Sequence, residues 1–263
     1  SRIVGLAKGE GLPVTPRGGG MGLSGGAVAQ AGGIVVALTR MDKVLEIDPI
    51  DRTALVEPGV INLELSDFTA GQGLFFAPDP SSQRACTIGG NVAENSGGPH
   101  CLKYGVTTNH VLGLEVVLPD GRIVWLGGHS GGNPGYDLTA AMVGSEGMLG
   151  IVTKALVRLT VSPEAISVQL AAFPDVESAS VAVSRIIGAG IIPAALEMMD
   201  NLTIQAVEPA FHAGYPMDAG AVLLIEVDGM REDVEDTAQE IGTICAENGA
   251  TEVRIARSKA ERD

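Results

Sequence analysis

Between Pro16 and Ala27 the sequence reads PRGGGMGLSGGA, half of it glycine. Such a run either makes a surface turn or aims successive backbone N–H groups at one anion, because no Cβ holds a phosphate away. Arg17 and Ser24 would add a cation and a hydroxyl. Gly20, Gly22 and Gly25 have the spacing of the dinucleotide fingerprint, but that motif must open a helix. Here Gly32 and Gly33 lead instead into the apolar, strand-like run Ile34 to Leu38. This speaks against a nicotinamide-binding βαβ unit, although Glu46 lies at about the distance of a ribose-binding acid. A second tract, CTIGGNVAENSGG from Cys86 to Gly98, adds Asn91 and Asn95, whose amides can bond backbone or a heterocycle edge. VGSEGMLGIVT, Val143 to Thr153, is a third. Three such loops separated by strands suit a long ligand lying across a sheet edge, with a diphosphate at one loop and rings at the others.

The elements that must position these loops are legible in part. A helix ends near Gly9, and strands are expected near Leu12 to Thr15, at Ile34 to Leu38, Val44 to Ile47 and Thr53 to Val56. Asn62 is placed to cap a helix running toward Ala70, stopped by Gly71 and Gly73. Val111 to Leu118 and Arg122 to Leu126 flank Pro119-Asp120-Gly121, a hairpin turn. A short helix around Tyr136 to Met142 precedes one long strand, Ile151 to Val161. After Pro163 the texture changes to alternating strands and helices. Val176, Ala179, Val183, Ile186 and Ile187 recur at helical spacing, as do Val234, Ala238, Ile241 and Cys245. Strands at Ile166 to Ala172, Ala194 to Met198 and Ala221 to Val227, with a further helix near Leu202 to Val207, predict an antiparallel α+β unit with helices on one face. The domain boundary falls near residue 163, dividing the chain into 1–163 and 164–263.

A formal charge of −15 removes any continuous basic face, which argues against a nucleic-acid partner. No apolar run nears the roughly 20 residues that span a bilayer. With neither a transmembrane segment nor an opening leader pattern, a soluble, cytoplasmic protein is expected, with any membrane contact made through partners. Cys86, Cys101 and Cys245 are an odd set without paired spacing, read as reduced, buried thiols. His100, His110, His129 and His212 lack metal-ligand spacing, so no metal site is expected. Glu232, Asp233, Glu235 and Asp236 fall in the first turns of a helix, where carboxylates meet the positive end of its dipole.

PRGGGxGLSGGA, PDPSSQ, CTIGGNVAENSGG, KYGVTTNHVLGLEVVLPDG and VGSEGxLGIVT, in this order, resemble the FAD-linked oxidases of the vanillyl-alcohol-oxidase type. Within that family they are most similar to the group of glycolate oxidase D subunits and D-lactate and D-2-hydroxyglutarate dehydrogenases. The resemblance implies an α+β fold: an FAD-binding domain of two small α/β subdomains, then the start of an antiparallel, ferredoxin-like cap domain. It places the FAD diphosphate on Pro16, Arg17, Gly18, Gly19, Gly20, Met21 and Gly22, with Ser24 and Gly25. Along the isoalloxazine and diphosphate path it places Pro78, Thr87, Gly89, Gly90, Ala93, Asn95, Ser96, Gly97, Tyr104 and Gly105. Glu146, Gly150, Ile151 and Val152 fall to the adenosine and nearby backbone.

The implied activity is oxidation of a small D-2-hydroxy acid, of the glycolate or D-lactate class, by hydride transfer to flavin. Electrons would pass to a separate carrier or partner oxidase subunit. Two readings stand beside it: another substrate on the same fold, such as an ether-lipid precursor or a phenol, and a non-catalytic flavin-binding subunit of a multi-subunit oxidase. Met21 replaces the family's usual Thr or Ser, and Met148 its usual Thr. Relatives that hold flavin covalently do so through a histidine in or near the first loop, and none precedes His100 here, so non-covalent FAD is expected. The family places its substrate-binding arginine and its histidine/acid cluster beyond Asp263. No catalytic residue is therefore expected within the chain, and turnover by it alone is not.

Overall fold

The computed structural model describes residues 1–129 and 135–256. Contacts divide the chain into two compact units: residues 1–98 with 104–162, and residues 99–103 with the chain from Pro163 onward.

In the first unit, five antiparallel strands run in the spatial order Val44–Asp48, Thr53–Val56, Ile151–Arg158, Val111–Val117, Ile123–Gly127. The Val111–Val117/Ile123–Gly127 hairpin turns where Pro119-Asp120-Gly121 predicts it. Gly121 takes φ +85°, and Asp120 Oδ1 accepts from the Arg122 N–H at 3.0 Å. Central strand residues Val56, Leu114, Val116, Ala155 and Val157 meet Leu65, Ile88 and Val92 in one apolar core. Separately, Val14–Arg17 pairs in parallel with Ile34–Ala37. A parallel pair needs a long crossover, and the glycine loop supplies it without a helix, as expected. The long strand predicted from Ile151 to Val161 is two strands: after Arg158 the chain leaves the sheet, and Thr160–Val161 pairs with Leu74–Phe75.

Asn62 does not cap its helix. Ile61 occupies the cap position of Asn62–Ala70, while Asn62 is buried and donates from Nδ2 to the Pro78 carbonyl at 2.8 Å. The reason is burial: a primary amide with no access to water takes a carbonyl partner inside. A helix was not expected in the second glycine tract, yet Ile88–Glu94 is helical. Thr87 caps it, accepting from the Gly90 N–H at 3.3 Å, and Asn95 closes it in the left-handed region at φ 51°.

In the second unit, four antiparallel strands stand in the order Ala195–Asp200, Ala221–Gly229, Ala165–Phe173, Glu252–Ile255, the ferredoxin-like arrangement of a split β-α-β. The stripe Val234, Ala238, Ile241 and Cys245 is buried in Arg231–Glu247, as its spacing requires. In Val176–Gly188 the buried residues are Ala179, Ala182 and Ile186, while Val176 and Ile187 face solvent, so the inward face is rotated from the expected one. Helices also cover both sheet faces rather than one. Ala171, Phe173, Leu223 and Ile225 pack with Val176–Gly188 and Arg231–Glu247, whereas the alternating residues Ala172 and Val222 pack with Ile204 of Asn201–Phe211. Strand alternation makes this unavoidable once both faces are apolar. Within the same unit Lys103 Nζ donates to the Asp228 carbonyl at 2.7 Å and to its buried carboxylate, and His100 Nε2 lies 3.1 Å from Glu226 Oε1. No described helix is long and apolar enough to cross a membrane.

His110 is a buried histidine of the first unit, with Nε2 2.8 Å from the Tyr104 carbonyl and its ring edge-on to Phe76. Burial disfavours the imidazolium and holds its pKa below the ordinary 6.5. The unfolded chain therefore binds a proton first as pH falls, and stability declines from about pH 6.5 downward until the folded histidine also titrates. His110→Gln is expected to flatten urea-measured stability between about pH 6.5 and 5. An unchanged slope would contradict this assignment.

Candidate functional site

The three loops meet. Arg17 through Gly22, residues 89–94 of the helix Ile88–Glu94 and the turn residues 145–147 line one cleft, together with Gly150, Ile151 and Val152. The cleft is open to solvent, and its lining runs from the first loop across the helix to residues 150–152.

The loops are locked together by backbone. Gly18 lies on the Thr87 side chain, leaving no room for a Cβ, and a Cβ on Gly19 would stand 2.5 Å from the Ala85 carbonyl oxygen. One on Gly89 would stand 2.6 Å from Pro58 Cβ. Glycine is required at these positions by close approach of protein to protein. Gly90 differs, since its Cβ would make only an ordinary 3.4 Å contact with Thr87 Oγ1. The third loop is tied to the helix by Gly144 N–H to Val92 O, 2.8 Å, and Glu146 N–H to Ala93 O, 2.9 Å.

Among the described residues, no backbone N–H from Gly18 through Ala27 donates to a protein acceptor. Most of this loop is exposed, so its donors face water, and those from Gly18 through Gly22 that line the cleft can offer several N–H groups to one anion. The Arg17 guanidinium lies beside Gly20, with Nε and Nη2 each 3.1 Å from where a Gly20 Cβ would be, and no described carboxylate pairs with it. By contrast, the N–H groups opening Ile88–Glu94 are already taken: Ile88 by Val60 O, Gly89 by Pro58 O and Gly90 by Thr87 Oγ1. The backbone donors left without a protein partner at the cleft are those of the first loop, not those of that helix.

Most of the residues singled out from the sequence line this cleft: Pro16 through Gly22, Thr87, Gly89, Gly90, Ala93, Ser96, Glu146, Gly150, Ile151 and Val152. The others lie outside its lining. Ser24 donates from Oγ to Glu94, and Gly25 faces open space on the loop's outer side. Pro78 is buried beneath Asn62. Asn95 accepts from the Thr108 N–H at 2.9 Å, and Gly97 is absent from the lining. Tyr104 packs edge-on against Phe75 at 5.7 Å, and Gly105 turns at φ +82° against Asn109.

The structure adds Pro58, Cys86 and Glu94 to the cleft lining and also places there Asn91, which the second glycine tract offered as a ligand amide. Asn91 is fully buried, with neither amide atom in a hydrogen bond and the Cys86 thiol as a weak polar neighbour. Burial pushes the Cys86 thiol up, which keeps it protonated and unreactive at neutral pH. Among the described residues no group of histidine, cysteine and acidic side chains is arranged to hold a metal ion.

Glu146 takes φ +53°, flanked by Gly144 at +81° and Gly147 at +75°. The left-handed region costs a glutamate about 1–2 kcal/mol. Glu146→Gly relieves that and gives back about 0.5–1 kcal/mol in unfolded-chain entropy, so the variant is expected to melt no lower than the parent. A marked drop would mean that the carboxylate stabilises the turn.

Residues 1–127 match the FAD binding domain model and residues 162–263 the model of the C-terminal domain of FAD linked oxidases. The chain belongs to the FAD-linked oxidases, with FAD as cofactor. It is 50% identical over 251 residues to the glycolate oxidase subunit GlcD of Escherichia coli (strain K12), covering 95% of this chain and 50% of the relative. The glycolate oxidase subunit GlcD of Bacillus subtilis (strain 168) is 46% identical over 262 residues, 99% of this chain and 56% of that protein. The D-lactate dehydrogenase of Archaeoglobus fulgidus is 38% identical, over 100% of this chain and 58% of that protein. The chain thus spans about half the length of the curated relatives it matches. A solved alkyldihydroxyacetonephosphate synthase structure superposes with TM-score 0.82 at 27% identity, covering 99% of this chain and 54% of that one.

Proposed function

We propose that the cleft holds FAD without a covalent bond and that the protein carrying this chain oxidises a small D-2-hydroxy acid of the glycolate or D-lactate class. The observation that carries the first part is the row of unpaired N–H groups from Gly18 to Ala27 beside the Arg17 guanidinium. These donors would receive the diphosphate and Arg17 would offset its charge. Gly90 and Ala93 leave the helix surface low, so that a flat ring system can approach, and the Gly150 to Val152 strand end would receive the adenosine side. When bound, flavin supplies the acceptor for the hydride leaving the substrate α-carbon. The chain's own part is to bind, orient and exclude water along the cleft, and we assign it no catalytic residue.

The hydroxy-acid reading rests on similarity, 50% and 46% to glycolate oxidase subunits against 27% to the alkyldihydroxyacetonephosphate synthase. Those relatives are named as subunits, which supports a partner that takes the electrons; the protein would work in the cytoplasm, either free or held at a membrane by that partner. Anaerobic addition of glycolate or D-lactate to the full-length, FAD-loaded protein tests the reading. Bleaching of the flavin bands is the expected result. No bleaching by either acid, alone or with its partner subunits, would overturn it.

A further inference from the structure

We propose that Glu94 is a positioning residue for the cofactor loop: through Ser24 it holds the donors of residues 18–22 toward the cleft. This rests on the FAD reading of that cleft. Ser24 Oγ lies 3.1 Å and 3.2 Å from the two carboxylate oxygens of Glu94, a side chain 70 residues away at the end of helix Ile88–Glu94. The hydroxyl hydrogen is therefore committed to Glu94, and Ser24 presents only lone pairs elsewhere, which a diphosphate would repel. Gly22 lies under the same carboxylate, where a Cβ would be 3.2 Å from Oε1.

The rest of the loop explains why a tether is needed. Its base is fixed by Gly18 and Gly19 packing on Thr87 and Ala85, and its far end closes in a local turn, Val28 N–H to Gly25 O at 2.9 Å. Between them the described backbone makes no hydrogen bond to protein, and Leu23 is wholly exposed. An unrestrained glycine-rich segment would lose much entropy on closing around an anion. The Ser24–Glu94 pair removes part of that freedom beforehand, which is the general route by which preorganisation raises affinity. A carboxylate near a diphosphate is otherwise unfavourable, so its place here calls for a compensating role.

Ser24→Ala, Glu94→Ala, Glu94→Gln and the double alanine variant would be compared in two measurements: the rate of FAD release after dilution, and the rate of chymotryptic cutting at Leu23 in cofactor-free protein. Both single alanine variants are expected to speed both rates roughly fivefold to tenfold, the scale of one ordinary hydrogen bond at an exposed site. The double variant should add nothing further, and Glu94→Gln, which keeps an acceptor for Ser24, should stay near the parent. Slower release from Glu94→Ala, or cutting at the parent rate, would overturn the tether by showing Glu94 to be only a repulsive charge. Should the parent protein hold no FAD while the cutting rates follow the expected order, the tether stands and the cofactor reading fails.

Discussion

Gly89→Val is expected to strip the protein of flavin and to lower its melting temperature. The new Cβ alone would meet Pro58 Cβ at 2.6 Å and Pro58 O at 3.0 Å, and the Gly89 N–H already bonds that carbonyl at 2.8 Å. The helix Ile88–Glu94 must then move away from Pro58. Overpacking of this kind costs about 1–3 kcal/mol. Because Val92 and Ala93 carry the carbonyls that tie down the Gly144 to Glu146 turn, the displacement spreads to the opposite side of the cleft. Gly90→Ala is the matched control. Its Cβ makes an ordinary contact and a helical alanine is favoured by up to about 1 kcal/mol over glycine, so the fold should gain slightly. Flavin lost from Gly90→Ala without loss of stability would mean that the cofactor itself requires the bare backbone there. Absorbance at the flavin bands and a thermal melt on both variants separate packing from contact, and Gly89→Val that kept its flavin would refute the account of the interlocked loops.

Arg17→Ala is expected to weaken FAD binding roughly 10- to 100-fold, the scale of a hydrogen bond to a charged group at about 1.5–3 kcal/mol. Stability should be unaffected, because Arg17 is exposed and has no described carboxylate partner. Arg17→Lys should fall between, since an ammonium keeps the charge but not the planar fork. The cleft is lined by Glu94 and Glu146 as well as Arg17, so attraction for a diphosphate cannot come from net charge and must come from these local donors. A titration showing Arg17→Ala within twofold of the parent would remove the guanidinium from the site.

What was legible in the sequence follows from what each residue does locally. Val234, Ala238, Ile241 and Cys245 announce a buried helix face because helical spacing alone puts them together, and Asp120-Gly121 announces a turn by its own backbone preferences. The absence of a helix after the first glycine loop was likewise readable from Gly32-Gly33 and the strand behind them. The helix Ile88–Glu94 was hidden because Gly89 and Gly90 have poor helix propensity, and Gly89 is there for packing against Pro58. Its signals were Thr87 at the start and Asn95 at the end. Asn62 looked like a cap because asparagine favours that role, and only the tertiary position of Pro78 shows why it has another. Glu252–Ile255 escaped notice as a strand because an edge position tolerates its charged residues. Glu94 could not be found at all from spacing, since its partner lies 70 residues away and no motif encodes the pair.

The central claim is that interlocked glycine loops in this chain form the cofactor cradle. The visible absorbance spectrum of the chain, taken after incubation with FAD and removal of free cofactor, tests it most directly. Retained flavin bands are expected, released as free FAD on denaturation if the cofactor is held, as proposed, without a covalent bond. A colourless protein that is folded by circular dichroism, with a full-length version equally colourless, would contradict it.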